Sequence, residues 1–548
     1  MPEYLSPGVY VEEVDRGPKP IEGVGTAMAV FIGFSEKAQS VEQSNGETMT
    51  RDLLGRPQLV TNWTQYNEKY GGFAEGAVMP HSVYGYFMNG GSRCYVVSVK
   101  TIPKAQAALL NGEGKPALVA RAKTAGFDGL RLRVKVEAPA APAADEAAKK
   151  KGKEGEAAPA ASDGATPFNV TVEREKTTGG WIAQETISGV TLAEVQKDDG
   201  SKVVGVAYKD NKAPTLIDLV IPDASMPLAK LWPREQQQSL SIESKLLSAA
   251  TATDFQGDVM ERTGVEGLEA IDDITMVVVP DLMTTMPGQK IDLHMIKAVQ
   301  TAIIAHCEKM GDRVAVLDAP PGMNPQAVKK WRMDTAGYDS SYAALYYPWI
   351  EVADPVSNRP VQIPSSGHMA GVWARNDNTR GVHKAPANEV VRGATGLAYN
   401  VTKGEQDTLN PNGVNCIRAF PGMGIRVWGA RTLSSNPAWR YINVRRLFNY
   451  VEKSIERGTQ WVVFEPNEPR LWGRVRRDVS AFLTNTWRDG ALFGLAPDQA
   501  FYVKCDDELN PPASRDLGRL IIEIGLAPVK PAEFVIFRIS QWQPGAEG

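Results

Sequence analysis

Both ends of this 548-residue chain are apolar runs fenced by residues that forbid helix. At the start stands Tyr4-Leu5-Ser6-Pro7-Gly8-Val9-Tyr10-Val11-Glu12-Glu13-Val14, with Pro2, Gly17, Pro18 and Pro20 around it. At the end stands Glu533-Phe534-Val535-Ile536-Phe537-Arg538-Ile539-Ser540-Gln541-Trp542, between Pro528, Pro531 and Pro544. Proline fixes φ and removes a backbone donor, so neither run continues as a helix. Domain termini are commonly polar and frayed. Apolar, punctuated termini instead predict strands that pair with a sheet edge, with Val9, Tyr10, Val11, Val14, Phe534, Val535, Ile536, Phe537 and Ile539 as pairing residues. At about 3.3 Å per residue, residues 2–20 reach roughly 60 Å, far enough to complete a sheet in a neighbouring molecule. Gly17, Pro18 and Pro528 are the expected hinges of such arms.

A chain of this length holds several domains, three or four by the usual domain size. With 43% hydrophobic residues it builds substantial cores, and its net charge of −4 argues against a partner such as nucleic acid or an acidic membrane. Cys94, Cys307, Cys416 and Cys505 are widely separated. The first three lie in apolar runs and read as buried thiols, which points to a cytoplasmic folding compartment. Met1-Pro2-Glu3 lacks the basic and apolar regions of a secretory signal, and no apolar run is long enough for a bilayer. If the protein works outside the cell, the expectation is a route other than a cleaved signal, such as lysis.

Periodicity predicts an α/β domain from residues 21–100 and 261–410. Its buried strands are Thr26 to Phe34, Arg93 to Val99, Ile274 to Asp281, Arg313 to Asp318 and Ala343 to Val352. Its helices run near Asn62 to Tyr70, His81 to Met88, Asp292 to Met310 and Pro325 to Met333, with glycines as stops after the first three. Residues 101–260 read as an inserted β-rich domain, because Leu130 to Val136 and Phe168 to Arg174 alternate apolar with polar. Residues 138–167 between them hold no aromatic residue and read as a solvated hairpin loop. Residues 411–528 read as an α+β domain, with Asn443 capping one helix, Leu471 to Thr486 in a second, and strands at Gln460 to Phe464, Ala500 to Cys505 and Arg519 to Ile524. Residues 1–20 and 529–548 are the arms.

Catalytic chemistry finds little support. Gly23-Val24-Gly25-Thr26-Ala27 lacks the third glycine of a dinucleotide loop, and no phosphate-cradling loop with its lysine occurs. Asp281 and Asp318 each end a strand, where α/β enzymes bind ligands, and an α/β hydrolase or nucleotide-binding enzyme centred on them is the competing reading. Aspartate there is equally a helix cap or turn former. His294 and His306 do not share a helix face for zinc. Ser366-Gly367-His368 near Asp354 lacks a nucleophile elbow. No catalytic, cofactor or metal residue is assigned. Arg445, Arg446, Arg474, Arg476 and Arg477 give two helices a basic face that reads mainly as solvated surface.

Two stretches carry a family resemblance. The opening run from Tyr4 to Val14, followed by Pro20-Ile21-Glu22-Gly23-Val24, resembles the start of the tail sheath proteins of contractile phage tails and related contractile injection systems. Tyr441-Ile442-Asn443-Val444-Arg445-Arg446-Leu447, Phe464-Glu465-Pro466-Asn467, Leu471-Trp472, Asn510-Pro511-Pro512 and the closing Phe534-Val535-Ile536-Phe537-Arg538-Ile539 resemble that family's carboxyl domain. The resemblance implies a non-enzymatic subunit without cofactors. It implies a helical homopolymer around an inner tube, with baseplate and terminal cap proteins as further partners and no membrane insertion. Neighbours' arms would complete the carboxyl-domain sheet, and contraction would release energy stored in metastable packing. The same resemblance places the carboxyl domain innermost, which makes Arg474, Arg476 and Arg477 candidates to face the tube.

Overall fold

The computed structural model describes residues 20–44, 47–137, 167–176, 178–196, 202–209, 212–223, 231–243, 250–285, 290–356 and 358–538. The pairing residues Val9, Tyr10, Val11, Val14 and Ile539, the hinges Gly17 and Pro18, and the loop 138–166 lie outside them.

The strand Ala29–Ser35 is buried at every position, with no polar alternation. Such a strand needs cover on both faces. It lies inside an eight-stranded sheet, between Met276–Val278 and Cys94–Thr101, parallel to both. Val314–Asp318, Ala343–Tyr347 and Val414–Phe420 extend the parallel run, and Gly424–Val427 and Gln58–Val60 close the edges antiparallel. Val30, Ile32 and Phe34 pack on one face with Ile296, Val299 and Ile303 of the helix Leu293–Met310. Ala29 and Phe31 pack on the other with Met79, Val83 and Tyr86 of the helix Met79–Asn89 and with Met369 and Trp373 of the helix Ser366–Arg380. These last two helices touch through small residues: a Cβ on Gly85 would fall 2.1 Å from the His368 ring.

The expected strand at Ala343 to Val352 is two strands. Ala343–Tyr347 stays in the large sheet, whereas Ile350–Ala353 joins Pro360–Ile363 and Ala394–Leu397 in another. Pro348 between them has no amide hydrogen to continue the ladder. The expected strand at Ile274 to Asp281 shortens to Met276–Val278, since Pro280 opens a 3-10 turn that contains Asp281.

Among the described residues between 106 and 239, the strands form two antiparallel sheets of five and three strands. Leu132–Glu137 pairs with Phe168–Glu175, Val134 opposite Val172. Their alternating apolar side chains enter one core with Leu109, Leu118 and Ala120. Towards the C-terminus, Leu447 and Val451 of the helix Ile442–Gly458 pack against Val475, Val479 and Phe482 of the helix Pro469–Arg488. Beside them Phe501–Lys504 and Glu523–Leu526 form a two-stranded antiparallel sheet.

Gln460 to Phe464 is not the expected strand. Gln460–Val462 is a 3-10 turn, closed by the Val462 and Val463 amides donating to Thr459 and Gln460, and Phe464 has a φ of 69°. The β-forming side chains lose here to local turn bonds, and Trp461 is held under Arg474 at 4.3 Å. Asn443 is not the cap of its helix either. Tyr441 holds that position, and Asn443 donates to the carbonyls of His383 (2.7 Å) and Val529 (3.2 Å).

Candidate functional site

The carboxylates at the strand ends serve the backbone. Asp281 accepts from the amides of Phe34 (2.7 Å), Met79 (2.9 Å) and Val78. It thereby fastens the start of the helix Met79–Asn89 to the neighbouring strand. A Cβ on Gly33 would lie 2.2 Å from the same carboxylate, so residue 33 must be glycine. Burial pushes Asp281 up to about 7, against the three amides that pull it down. Asp318 accepts from the Ser366 amide (2.9 Å) and the Ser365 hydroxyl (3.4 Å) at the start of the helix Ser366–Arg380. Burial pushes Asp318 up to about 6. Asp281 accepts on both carboxylate oxygens and Asp318 on Oδ1, and both thereby hold the start of a helix of their own chain.

The histidines do not converge on a reaction centre. His81 faces Asp354 at 3.4 Å, so the aspartate considered for a triad with His368 is engaged elsewhere. His368 is buried between the packed helices, and burial pushes it down to about 4. His306 lies 3.4 Å from the buried guanidinium of Arg313 and is likewise pushed down to about 4, first by burial and then by that charge. Among the described residues no group of three histidine, cysteine, aspartate or glutamate side chains is placed to hold a metal. No helix among them is long and apolar enough to cross a membrane.

The unusual surface lies at the C-terminal end. Phe534, Val535, Ile536 and Phe537 are 72%, 70%, 79% and 83% exposed. Among the described residues none of their backbone groups joins a backbone hydrogen bond. Pro528 forms an isolated bridge with Leu492, and the amides on either side of it donate to Ala500 and Ala491. Nearby, the two-stranded sheet of Phe501–Lys504 and Glu523–Leu526 pairs with no further strand in the described chain. A sheet of two strands is marginal alone and offers open ladders on both sides.

Glu533, immediately before the exposed run, is held by four donors. Its Oε1 accepts from Arg431 Nε (2.9 Å) and Asn410 Nδ2 (2.6 Å). Its Oε2 accepts from Arg431 Nη2 (2.7 Å) and the Tyr441 hydroxyl (2.9 Å). Burial would raise its carboxyl, but these donors outweigh it and hold the group below the usual range. Sequence reasoning missed this residue, since a glutamate beside an apolar run has no distinctive spacing.

At the other end, Ile21 is buried against Gly458, the last residue of the helix Ile442–Gly458. The Val24 amide donates to Ser454 Oγ at 3.1 Å.

The basic residues divide into two groups. Arg474, Arg476 and Arg477 are exposed. With Arg470 and Arg488, Arg474 and Arg477 recur at helical spacing along one side of Pro469–Arg488, and Arg477 lies 3.4 Å from Asp478. Arg445 and Arg446 are 5% and 4% exposed, which corrects the expectation of a solvated surface. Arg445 stacks over Trp439 at 4.3 Å and Tyr342 at 4.6 Å. Arg446 pairs with Asp377 and stacks over Trp373 at 4.8 Å.

Comparison with known proteins places this architecture. Residues 263–433 match the phage tail sheath protein central domain, and residues 434–541 match the phage tail sheath C-terminal domain. A Pseudomonas aeruginosa (strain UCBPP-PA14) protein described as a prophage major tail sheath protein is 27% identical over 289 residues, 52% of this chain and 70% of the relative. The tail sheath protein of Vibrio phage KVP40 is 27% identical over 216 residues, 39% of this chain and 31% of the relative. Over nearly the full length the fold is similar to the sheath of an extracellular contractile injection system, the PVC sheath complex in its contracted state. The TM-score is 0.55 at 23% identity, covering 99% of each chain. The helical sheath of the anti-feeding prophage in its contracted state gives a TM-score of 0.54 at 22% identity, covering 98% of this chain and 99% of that one.

Proposed function

The chain belongs to the phage tail sheath family, and from that premise we propose that its copies polymerise into a helical sleeve that contracts around an inner tube and drives it through a target envelope. The observation that carries this reading is the exposed run from Phe534 to Phe537 on a chain that also holds a two-stranded sheet with unfilled edges. Such a run donated to a copy's sheet is a head-to-tail contact, and repetition without closure makes a helical filament. Residues 1–20 supply the second arm. Residues 101–260 form an inserted β-rich domain on the outside of the sleeve. The helix Pro469–Arg488 lies innermost and turns Arg474, Arg476 and Arg477 towards an acidic tube surface.

Contraction needs no nucleotide in this scheme. Subunits assembled in a metastable packing are held by a barrier and release free energy as they rotate into the contracted arrangement. The arms, joined by main-chain hydrogen bonds, keep the mesh connected during that rotation. Baseplate and terminal cap proteins bound the sleeve at its ends. The particle is assembled in the bacterial cytoplasm as a phage tail or a tail-like injection system and leaves by lysis.

Electron microscopy of the purified chain tests the reading, with striated tubes as the expected result. Removal of residues 1–20 should abolish the tubes and leave the far-ultraviolet circular dichroism unchanged. Discrete particles from the intact chain at high concentration, or tubes from the truncated one, would overturn it.

A further inference from the structure

The C-terminal arm does not leave the subunit where its prolines suggest. After the strand Glu523–Leu526, Pro528 bridges to Leu492, and the Val529 amide and carbonyl are engaged by Ala491 and Asn443. The chain then crosses from the C-terminal helices to the α/β body and meets Arg431. The guanidinium grips Glu533 through two nearly parallel bonds of 2.9 and 2.7 Å. Asn410 and Tyr441 fill the remaining acceptor positions at 2.6 and 2.9 Å. The Arg431 and Glu533 side chains are only 10% and 18% exposed. Arg431 is itself immobilised: its amide donates to Asn415 Oδ1 at 2.7 Å, and its carbonyl accepts from Asn415 Nδ2 at 2.8 Å. Asn415 lies in the strand Val414–Phe420 of the large sheet. The pin therefore joins the arm to the rigid sheet, not merely to a loop.

Resting on the sleeve reading above, we infer that Glu533 is a positioning residue that pins the root of the C-terminal arm to the α/β body, so that the arm offered to the sheet of a second copy begins at Phe534. The movable joint then lies after Glu533, five residues beyond Pro528. A two-bond grip between planar groups fixes direction as well as position, so the pin aims the arm. The helix Ile442–Gly458 gives the pin a mechanical partner. Tyr441, at its start, donates to Glu533, while Gly458, at its end, packs against Ile21, where the described N-terminal segment begins. A helix of 17 residues holds two such points about 25 Å apart.

The test compares five variants with the wild-type chain. Deletion of residues 534–548 should abolish polymers. Glu533→Gln, which keeps the side-chain shape but loses the charge, should leave the monomer's circular dichroism unchanged and raise the concentration needed for polymerisation at least about tenfold. The exchanged pair Glu533→Arg with Arg431→Glu should recover part of that loss, which a general loss of packing would not. A nitroxide on Ala532→Cys should be immobile in the monomer and one on Ile536→Cys mobile, a measurement that does not depend on how Glu533→Gln folds. Wild-type polymerisation by Glu533→Gln while the deletion fails to polymerise would overturn the pin and leave the sleeve intact. Equal mobility of the two nitroxides would also overturn the pin. Normal tubes from the deletion would overturn the arm-based sleeve itself.

Discussion

Arg446 and Asp377 form a two-bond ion pair, at 2.9 and 2.6 Å, with side chains only 4% and 2% exposed. The pair joins the helix Ile442–Gly458 to the helix Ser366–Arg380. Arg446 also donates to the carbonyl of Thr26 at 2.8 Å, so one guanidinium ties the C-terminal helices, the α/β body and the entering N-terminal segment together. Relative motion of the C-terminal helices against the α/β body has to break this contact. Contraction by rotation of whole subunits does not.

Arg446→Ala should therefore destabilise the monomer by about 3–5 kcal/mol, because it leaves Asp377 charged and buried without a partner. Chemical denaturation measures the loss. The paired replacement Arg446→Met with Asp377→Leu should cost far less than Arg446→Ala, since no buried charge remains.

The buried carboxylate of Asp318 gives stability a defined pH dependence. Burial raises its folded value to about 6 from the ordinary aspartate value of 3.8, so the folded state binds the proton more tightly. That contribution is fully present below the unfolded value and is lost as pH rises through about 6. Asp281 acts in the same direction up to about 7, beside the buried Tyr66. His306 and His368, both pushed down to about 4, act in the opposite direction below the ordinary histidine value of 6.5. The wild-type profile is the balance of the two pairs, so the single contribution is read from a variant. Asp318→Asn keeps an oxygen for the Ser366 amide. Between pH 5 and pH 7 it should remove about 1.4 kcal/mol of the stability gained on acidification. Urea unfolding of both proteins at the two pH values checks this.

Phe464 is 102% exposed and holds a φ of 69°, which side chains other than glycine adopt only with strain. Strained backbone clusters at functional sites, and replacement of Phe464 tests whether it contacts a second copy. Phe464→Gly should leave monomer stability unchanged or raise it by up to about 1 kcal/mol, and it should impair assembly. Thermal melts and sedimentation of polymers measure the two effects separately.

Reversal of Arg474, Arg476 and Arg477 to glutamate should keep the overall fold, since the residues are exposed, while losing the contacts of Arg474 with Trp461 and of Arg477 with Asp478. It should stop the sheath from assembling on its tube. Co-sedimentation with the tube reads the outcome, and the wild-type interaction should weaken as salt rises. Unchanged co-sedimentation would refute the tube-facing assignment.

Much of the scaffold was legible because its signals are local. The all-apolar Ala29–Ser35, the alternating Leu132–Glu137, and the helix Leu293–Met310 between Asp292 and Gly311 each carry their own period and boundary. Readings failed where a local preference met a competing local bond or a distant partner. Val462 and Val463 favour a strand, but turn bonds to Thr459 and Gln460 are closer at hand. Arg445 and Arg446 look like surface charge until the rings of Trp439 and Trp373 and the carboxylate of Asp377 are brought beside them. Asp281 and Asp318 occupy the positions of ligand-binding carboxylates, and only the approach of Met79 and Ser366 shows that each holds a helix start of its own chain.

The order of residues alone bars helix at both termini, where proline and glycine interrupt it, and it sets an expectation of extended arms whose apolar runs call for burial that a short free end cannot provide for itself. Tertiary structure decided where the C-terminal run breaks free of its own subunit. Arg431 and Glu533 are 102 residues apart in the chain. An ion pair needs its two charges within a few ångströms in a site shielded from water. That proximity is a property of how the large sheet places Arg431, and no periodicity near Glu533 encodes it.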